Sequence, residues 1–173
     1  MSYKIYNAAM PTTTLQTAVT TGTGVKTMLQ LATPSTLQVT PIAWGYTLSA
    51  VPGGTGGQVE LIQTDVAATG LTAHVSANVY PSFPGAAASS LTFGTGATGF
   101  ATGAAPTEGT PTATRVFDEV LVDPTAGAQS MTYAYQWVPD ERDTVAASAF
   151  LRVRVNFNAA VNMLCWVAFV QVG

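Results

Sequence analysis

Leu151-Arg-Val-Arg-Val-Asn-Phe157 decides the fold. Leu151, Val153, Val155 and Phe157 stand at every second position with Arg152, Arg154 and Asn156 between them, the period of a half-buried β-strand. The same period recurs at Val25, Thr27, Leu29 and Leu31, interleaved with Lys26, Met28 and Gln30. Working outward from these two, strand-like runs occupy 37–48, 58–66, 73–79, 114–122, 131–138 and 161–172. The last run is apolar on both faces, which implies a central strand covered on each side or a strand in a subunit interface. The ten prolines and sixteen glycines fall mostly between the runs, in turn dipeptides such as Pro52-Gly53 and Pro84-Gly85. No stretch carries apolar residues at helical spacing with caps over three turns. The pattern predicts an all-β chain, an antiparallel β-sandwich or jelly roll of about eight strands with long loops.

At 173 residues the chain is the length of one domain and buries a core without disulfides or metals. Residues 24–173 read as a single β-sandwich domain. Residues 1–23, with Tyr3 and Tyr6 followed by threonine-rich stretches, read as either an N-terminal arm that packs on a neighbour or a terminal strand. Residues 82–113 are rich in Ala, Gly, Thr, Ser and Pro, and their only charge is Glu108. A loop this long with so little charge is expected to be ordered against a partner, the alternative being a flexible surface loop.

Charge excludes more than the motifs do. Only 9% of residues are Asp, Glu, Lys or Arg, against about 25% in an ordinary soluble domain. Fifteen charged side chains on a monomer surface of about 8,000 Å² leave roughly one per 500 Å². The 27 Thr, 27 Ala and 16 Gly supply small side chains that pack closely on another surface. A net charge of −3 removes the clustered Lys and Arg that phosphate neutralisation requires, so no direct nucleic-acid partner is expected. The longest apolar run, 163–170, is too short to cross a bilayer at about 20 residues, and 1–10 lacks the apolar core of a signal peptide. Synthesis in the cytoplasm without a membrane partner is the expectation.

The chemical motifs are weak. Gly94-Thr-Gly-Ala-Thr-Gly99 fits G-x-G-x-x-G, but the residues after it, 100–106, supply no helix to point N–H groups at a pyrophosphate. Val51-Pro-Gly-Gly-Thr-Gly-Gly57 lacks a phosphate-binding Lys and reads as a hairpin connection. His74 is the one histidine and Cys165 the one cysteine. The first reads as a strand residue with a satisfied hydrogen bond, the second as a buried, inert thiol. Asp140-Glu-Arg-Asp143 reads as a solvated turn rather than a calcium loop. No catalytic residue, metal ligand, cofactor site or small-molecule substrate is assigned, and an enzyme is not expected. Tyr133, Tyr135 and Trp137 share a strand face, which in a sandwich is either core, together with Trp44 and Trp166, or a sugar-binding platform. Arg152 and Arg154 share a face with Phe150 and offer partners for Asp118 or Glu119 across strands or across a subunit boundary.

The segments Met1-Ser-Tyr-Lys-Ile-Tyr-Asn-Ala-Ala-Met-Pro11, Gln58-Val-Glu-Leu-Ile62, Thr114-Arg-Val-Phe-Asp118 and Ala147-Ser-Ala-Phe-Leu-Arg-Val-Arg-Val155 resemble small virion proteins of tailed bacteriophages, especially head decoration (minor capsid) proteins. The likeness spans most of the chain in style and segment order. It implies a β-rich subunit, often a trimer, that docks on the outside of an assembled capsid and reinforces it. The implied partners are the major capsid protein and copies of the chain itself, and the implied location is the capsid surface of the virion. Tyr3, Lys4 and Tyr6, together with Phe93 and Phe100 of the 82–113 loop and Arg152 and Arg154, are the expected contact residues. The alternatives are another phage structural subunit, of major capsid or tail-tube type, and a carbohydrate-binding or adhesive sandwich.

Overall fold

Each alternating run needs neighbours for its backbone groups, and in the computed structural model, which describes residues 1–8, 15–125 and 131–172, those neighbours come from distant parts of the chain. The strands are β1 (Ser2–Tyr6), β2 (Val19–Thr20), β3 (Gly24–Ala32), β4 (Gln38–Leu48), β5 (Gly57–Thr64) and β6 (Thr72–Ala73). They continue with β7 (Tyr80–Pro81), β8 (Gly99–Phe100), β9 (Thr114–Val122), β10 (Thr132–Gln136), β11 (Phe150–Phe157) and β12 (Asn162–Val172). Sheet A runs β10-β4-β12-β1-β7, with β2 also paired to β12, and sheet B runs β6-β8-β3-β11-β5-β9.

The eight longer strands pair in a nested order: β1 with β12, β3 with β11, β4 with β10 and β5 with β9, all antiparallel. The nesting is that of one long hairpin rolled up, which brings β12 beside β4 and β11 beside β5. The chain is therefore an all-β sandwich with jelly-roll winding. Its core lies between the sheets, where Ile5, Trp44, Tyr46, Cys165, Val167 and Phe169 of sheet A meet Leu29, Leu31, Val59, Leu61, Val153 and Val155 of sheet B.

Within the described parts of 1–23, β1 sits between β12 and β7, and β2 pairs with β12. Rolling explains two departures from the sequence reading. The glycine-rich 51–57 segment is not a hairpin loop, because β4 and β5 belong to different sheets and the segment carries the chain across the sandwich. Its Gly56 has φ +79°, and a Cβ there would collide with the Val122 carbonyl. The run 73–79 is not a strand beyond Ala73. Among the described residues no strand lies beside it there, and a 3-10 turn at Ser76–Asn78 satisfies the backbone locally, with Asn78 N–H donating to the Val75 carbonyl at 2.9 Å.

The 82–113 loop lies on its own subunit. Ser82 N–H donates to the Ser2 carbonyl at 2.9 Å, Leu91 and Phe93 cap the core, and β8 extends sheet B beside β3. The G-x-G-x-x-G string serves this packing: a Cβ on Gly96 would stand 2.7 Å from the Leu71 carbonyl, and one on Gly99 2.6 Å from that of Thr72. The last glycine of the string opens strand β8 rather than a helix.

Candidate interaction surface

Alternation on β1 and β12 places two sets of side chains on opposite faces of sheet A. Tyr3, Ile5, Met163, Cys165, Val167 and Phe169 point inward and are buried, while Lys4, Tyr6, Leu164, Trp166, Ala168 and Val170 point outward and are half-buried. Ala43, Gly45 and Thr47 continue this outer face on β4, and Thr132, Ala134 and Gln136 continue it on β10. Lys4 is the only charged residue that the described strands contribute to it.

Trp166 organises the centre of the face. Its register partner is Gly45, and the indole lies across the β4 backbone where a Cβ on Gly45 would stand 3.0 Å from the ring. The Lys4 ammonium sits 3.9 Å from the centre of the Trp166 ring and 5.1 Å from that of Tyr6, so the one charge is drawn down onto aromatic rings. The result is a sheet face of apolar and uncharged polar side chains without a protruding ion. Trp166 does not help fill the interior as expected, because Cys165 and Val167 take the inward positions on either side of it.

Of the expected contact residues, only Lys4 and Tyr6 come together on this face. Tyr3 is 4% exposed, stacks on Phe169 at 5.6 Å and donates its hydroxyl to the Ala87 carbonyl at 3.1 Å. Its ring belongs to the subunit's own core. Phe100 is buried against His74, with ring centres 4.7 Å apart, and Phe93 packs half-buried on the core. Arg154 pairs across strands in register with Glu60 of β5, Nε to Oε1 at 2.5 Å, rather than with the expected Asp118 or Glu119. Arg152 has no exposed surface: the 101–113 strap crosses it, and Glu108 faces its Nη1 at 3.3 Å.

The remaining polar groups hold the subunit together. Asp118 Oδ2 on β9 accepts from Trp44 Nε1–H at 2.8 Å and from the Tyr133 hydroxyl at 2.7 Å, joining the two sheets at their open side. Burial, and then the Asp118 charge, push the Tyr46 hydroxyl up to about 12, and burial with the Asp118 bond raises Tyr133 above the ordinary phenol value. Tyr133 is thus occupied and Trp137 buried, which leaves Tyr135 as the exposed ring of the three. Lys26 is buried and donates to the carbonyls of Thr20 at 2.6 Å and Thr102 at 2.9 Å, and burial lowers its pKa. Burial raises the Cys165 thiol well above its ordinary value. Asp140, Glu141 and Asp143 are exposed around the Pro139–Glu141 turn.

Among the described residues no three His, Cys, Asp or Glu side chains converge to hold a metal. A cleft of about 520 Å³ opens between β2 and residues 100–103, and its lining carries no titratable side chain. The fold and site together define an all-β sandwich whose sheet A presents an outer face with Lys4 as its one charge among the described strands. Comparison with known proteins returns no matching family model, no similar curated protein and no similar solved structure.

Proposed function

We propose that the chain is a virion structural subunit, a capsid decoration (minor capsid) protein that binds and reinforces a phage head through the outer face of sheet A. The observation that carries this reading is the face itself: β1, β12, β4 and β10 present it with Lys4 as its only charge, laid flat on Trp166. A chain with so few ions places most of them elsewhere and keeps this side free for a protein surface. Association is by burial. A contact of standard size hides about 800 Å² per partner, and repetition over a symmetric shell turns modest contacts into a durable coat.

The partners in this reading are the major capsid protein and copies of the chain, and the place of action is the outside of the head. No turnover is involved. The test uses particles made from the genome that encodes the chain, labelled with gold-conjugated antibody against the purified protein. Label spread over the heads supports the reading, and label absent from heads or confined to tails overturns it. Leu164→Glu and Trp166→Ala, both on the outer face and outside the core, are expected to lose binding to undecorated heads by at least tenfold with unchanged circular dichroism.

A further inference from the structure

Four strands end the two sheet orders, beside the two-residue β2 that lies off them, and three of these four edges are blunted. β7 and β6 are two residues long, and β7 contains Pro81. β9 carries Arg115, Asp118 and Glu119 and has a bulge at Phe117, since Leu61 pairs with Asp118 and Ile62 with Val116. Short length, proline, charge and bulges are the devices by which natural sheets avoid joining edge to edge. The fourth edge has none of them. β10, Thr132-Tyr-Ala-Tyr-Gln136, is five residues of strand-favouring sequence without charge or proline, four of them exposed.

Its backbone is set to accept another strand. Trp137 N–H donates to the Ile42 carbonyl at 3.1 Å, in line with the β10–β4 register. By the alternation of an antiparallel pair, Tyr133 and Tyr135 also bond toward β4, and the N–H and C=O groups of Thr132, Ala134 and Gln136 point away from it. The sequence is close to a palindrome about Ala134, so it matches its own reverse.

We infer that β10 is a contact between two copies of this chain, pairing antiparallel with β10 of a second copy about a two-fold axis at Ala134. In that register Thr132 faces Gln136 of the partner subunit and Tyr133 faces Tyr135 of the partner subunit, with each residue on its proper sheet face. All three outward-facing positions then meet outward-facing partners, each pair exchanging two hydrogen bonds, and the aromatic pairs add cross-strand packing. Sheet A becomes continuous through the axis. Tyr133 is already fixed by Asp118, so little ordering is needed on pairing. The contact is isologous and therefore closes at two copies, leaving the outer face of sheet A open on both. It goes beyond the shell reading and is independent of it.

The test is the mass of the full chain in solution across a dilution series, by light scattering after size exclusion. The expected species is a dimer of twice 17.8 kDa. Ala134→Pro removes an N–H that β4 does not use, and Ala134→Lys places two ammonium groups beside the axis. Both are expected to give monomers with unchanged near-ultraviolet circular dichroism. The native Cys165 is buried, so in Ala134→Cys the new thiol alone is accessible, and it is expected to oxidise to a covalent dimer where Val138→Cys does not. A chain that stays monomeric at every concentration, a trimer, or a dimer that survives both Ala134→Pro and Ala134→Lys overturns the inference. None of these outcomes bears on whether heads are labelled.

Discussion

Glu108 is the only charge in the 32 residues 82–113, and its position reflects a defect in the sheet beneath it. The β3–β11 register shifts between Val153 and Arg154, which leaves Met28 as an extra residue and turns the Thr27 N–H out of the ladder. Glu108 supplies the missing acceptor, at 2.6 Å from that N–H and 2.7 Å from the Thr27 hydroxyl, and also faces Arg152. Arg152 Nε and Nη2 stay buried without a partner among the described residues, so removing the Glu108 carboxylate would leave the guanidinium with only the Glu108 carbonyl, 3.1 Å from Nη1, and no counter-charge. His74 is the residue whose chemistry is easiest to measure. Its Nε2 lies 2.8 Å from the Tyr6 carbonyl, its Nδ1 faces the Asn78 amide and its ring packs on Phe100, none of them charged. Burial lowers its pKa from 6.5 to about 4, against the opposing pull of the Tyr6 carbonyl. The unfolded chain therefore takes up a proton below pH 6.5 that the folded chain refuses until about pH 4. Stability from this group is complete above pH 6.5 and falls through that window, by roughly 3 kcal/mol in all. Denaturant midpoints measured between pH 7 and pH 4 are expected to drop accordingly, and His74→Gln to flatten that part of the slope. The sequence displayed both residues as singletons. It could not display their partners, which lie 81 and 68 positions away.

At the level of the element, legibility depended on contrast between a strand's two faces. β11 alternates Val with Arg, so its parity was readable although the covering of Arg152 was not, whereas β12 is apolar on both faces and its parity was not. Parity decides whether Trp166 is core or surface, and only pairing with β1 and β4 settles it. β1 shows the same limit from the other side. Five residues at a chain end read equally as arm or strand, and their inclusion in sheet A depends on β12 reaching back across the length of the chain. Asp118 on β9 ties sheet B to β4 and β10 of sheet A by accepting from Trp44 and Tyr133. Asp118→Ala leaves the buried Trp44 N–H unpaired, at a cost of about 1–3 kcal/mol. It also removes one cause of the raised Tyr133 pKa. The expected outcome is an earlier melt together with ionisation of Tyr133 and, to a smaller extent, Tyr46 at lower pH in an alkaline absorbance titration. A lower melting temperature with an unchanged tyrosine titration would mean that Asp118 acts through packing alone.

For the whole molecule, the rolled hairpin accounts for a surface of 8046 Å², the value of about 8,000 Å² that mass scaling gives for a compact monomer. The loop that composition assigned to a partner is spent on the subunit itself, covering Gln30, Thr27 and Arg152 on the back of sheet B. Shortage of charge therefore has two separate causes: internal covering by the 94–113 stretch, and the open face of sheet A. Under the proposed docking through sheet A, only the second bears on association, and it makes a measurable demand. A docking surface that depended on ion pairs would weaken as the screening length falls from about 10 Å at 0.1 M salt to about 3 Å at 1 M. A face whose one ammonium is already engaged by two rings has little to screen, and salt does not weaken apolar burial. Attachment of the purified chain to undecorated heads is therefore expected to change by less than about twofold between those salt concentrations. Sedimentation of chain with heads across the salt series measures it directly. A steep loss of the bound fraction at 1 M would place the contact on the charged side of the molecule, around Arg154, Glu60 and Glu119, and take it away from Trp166.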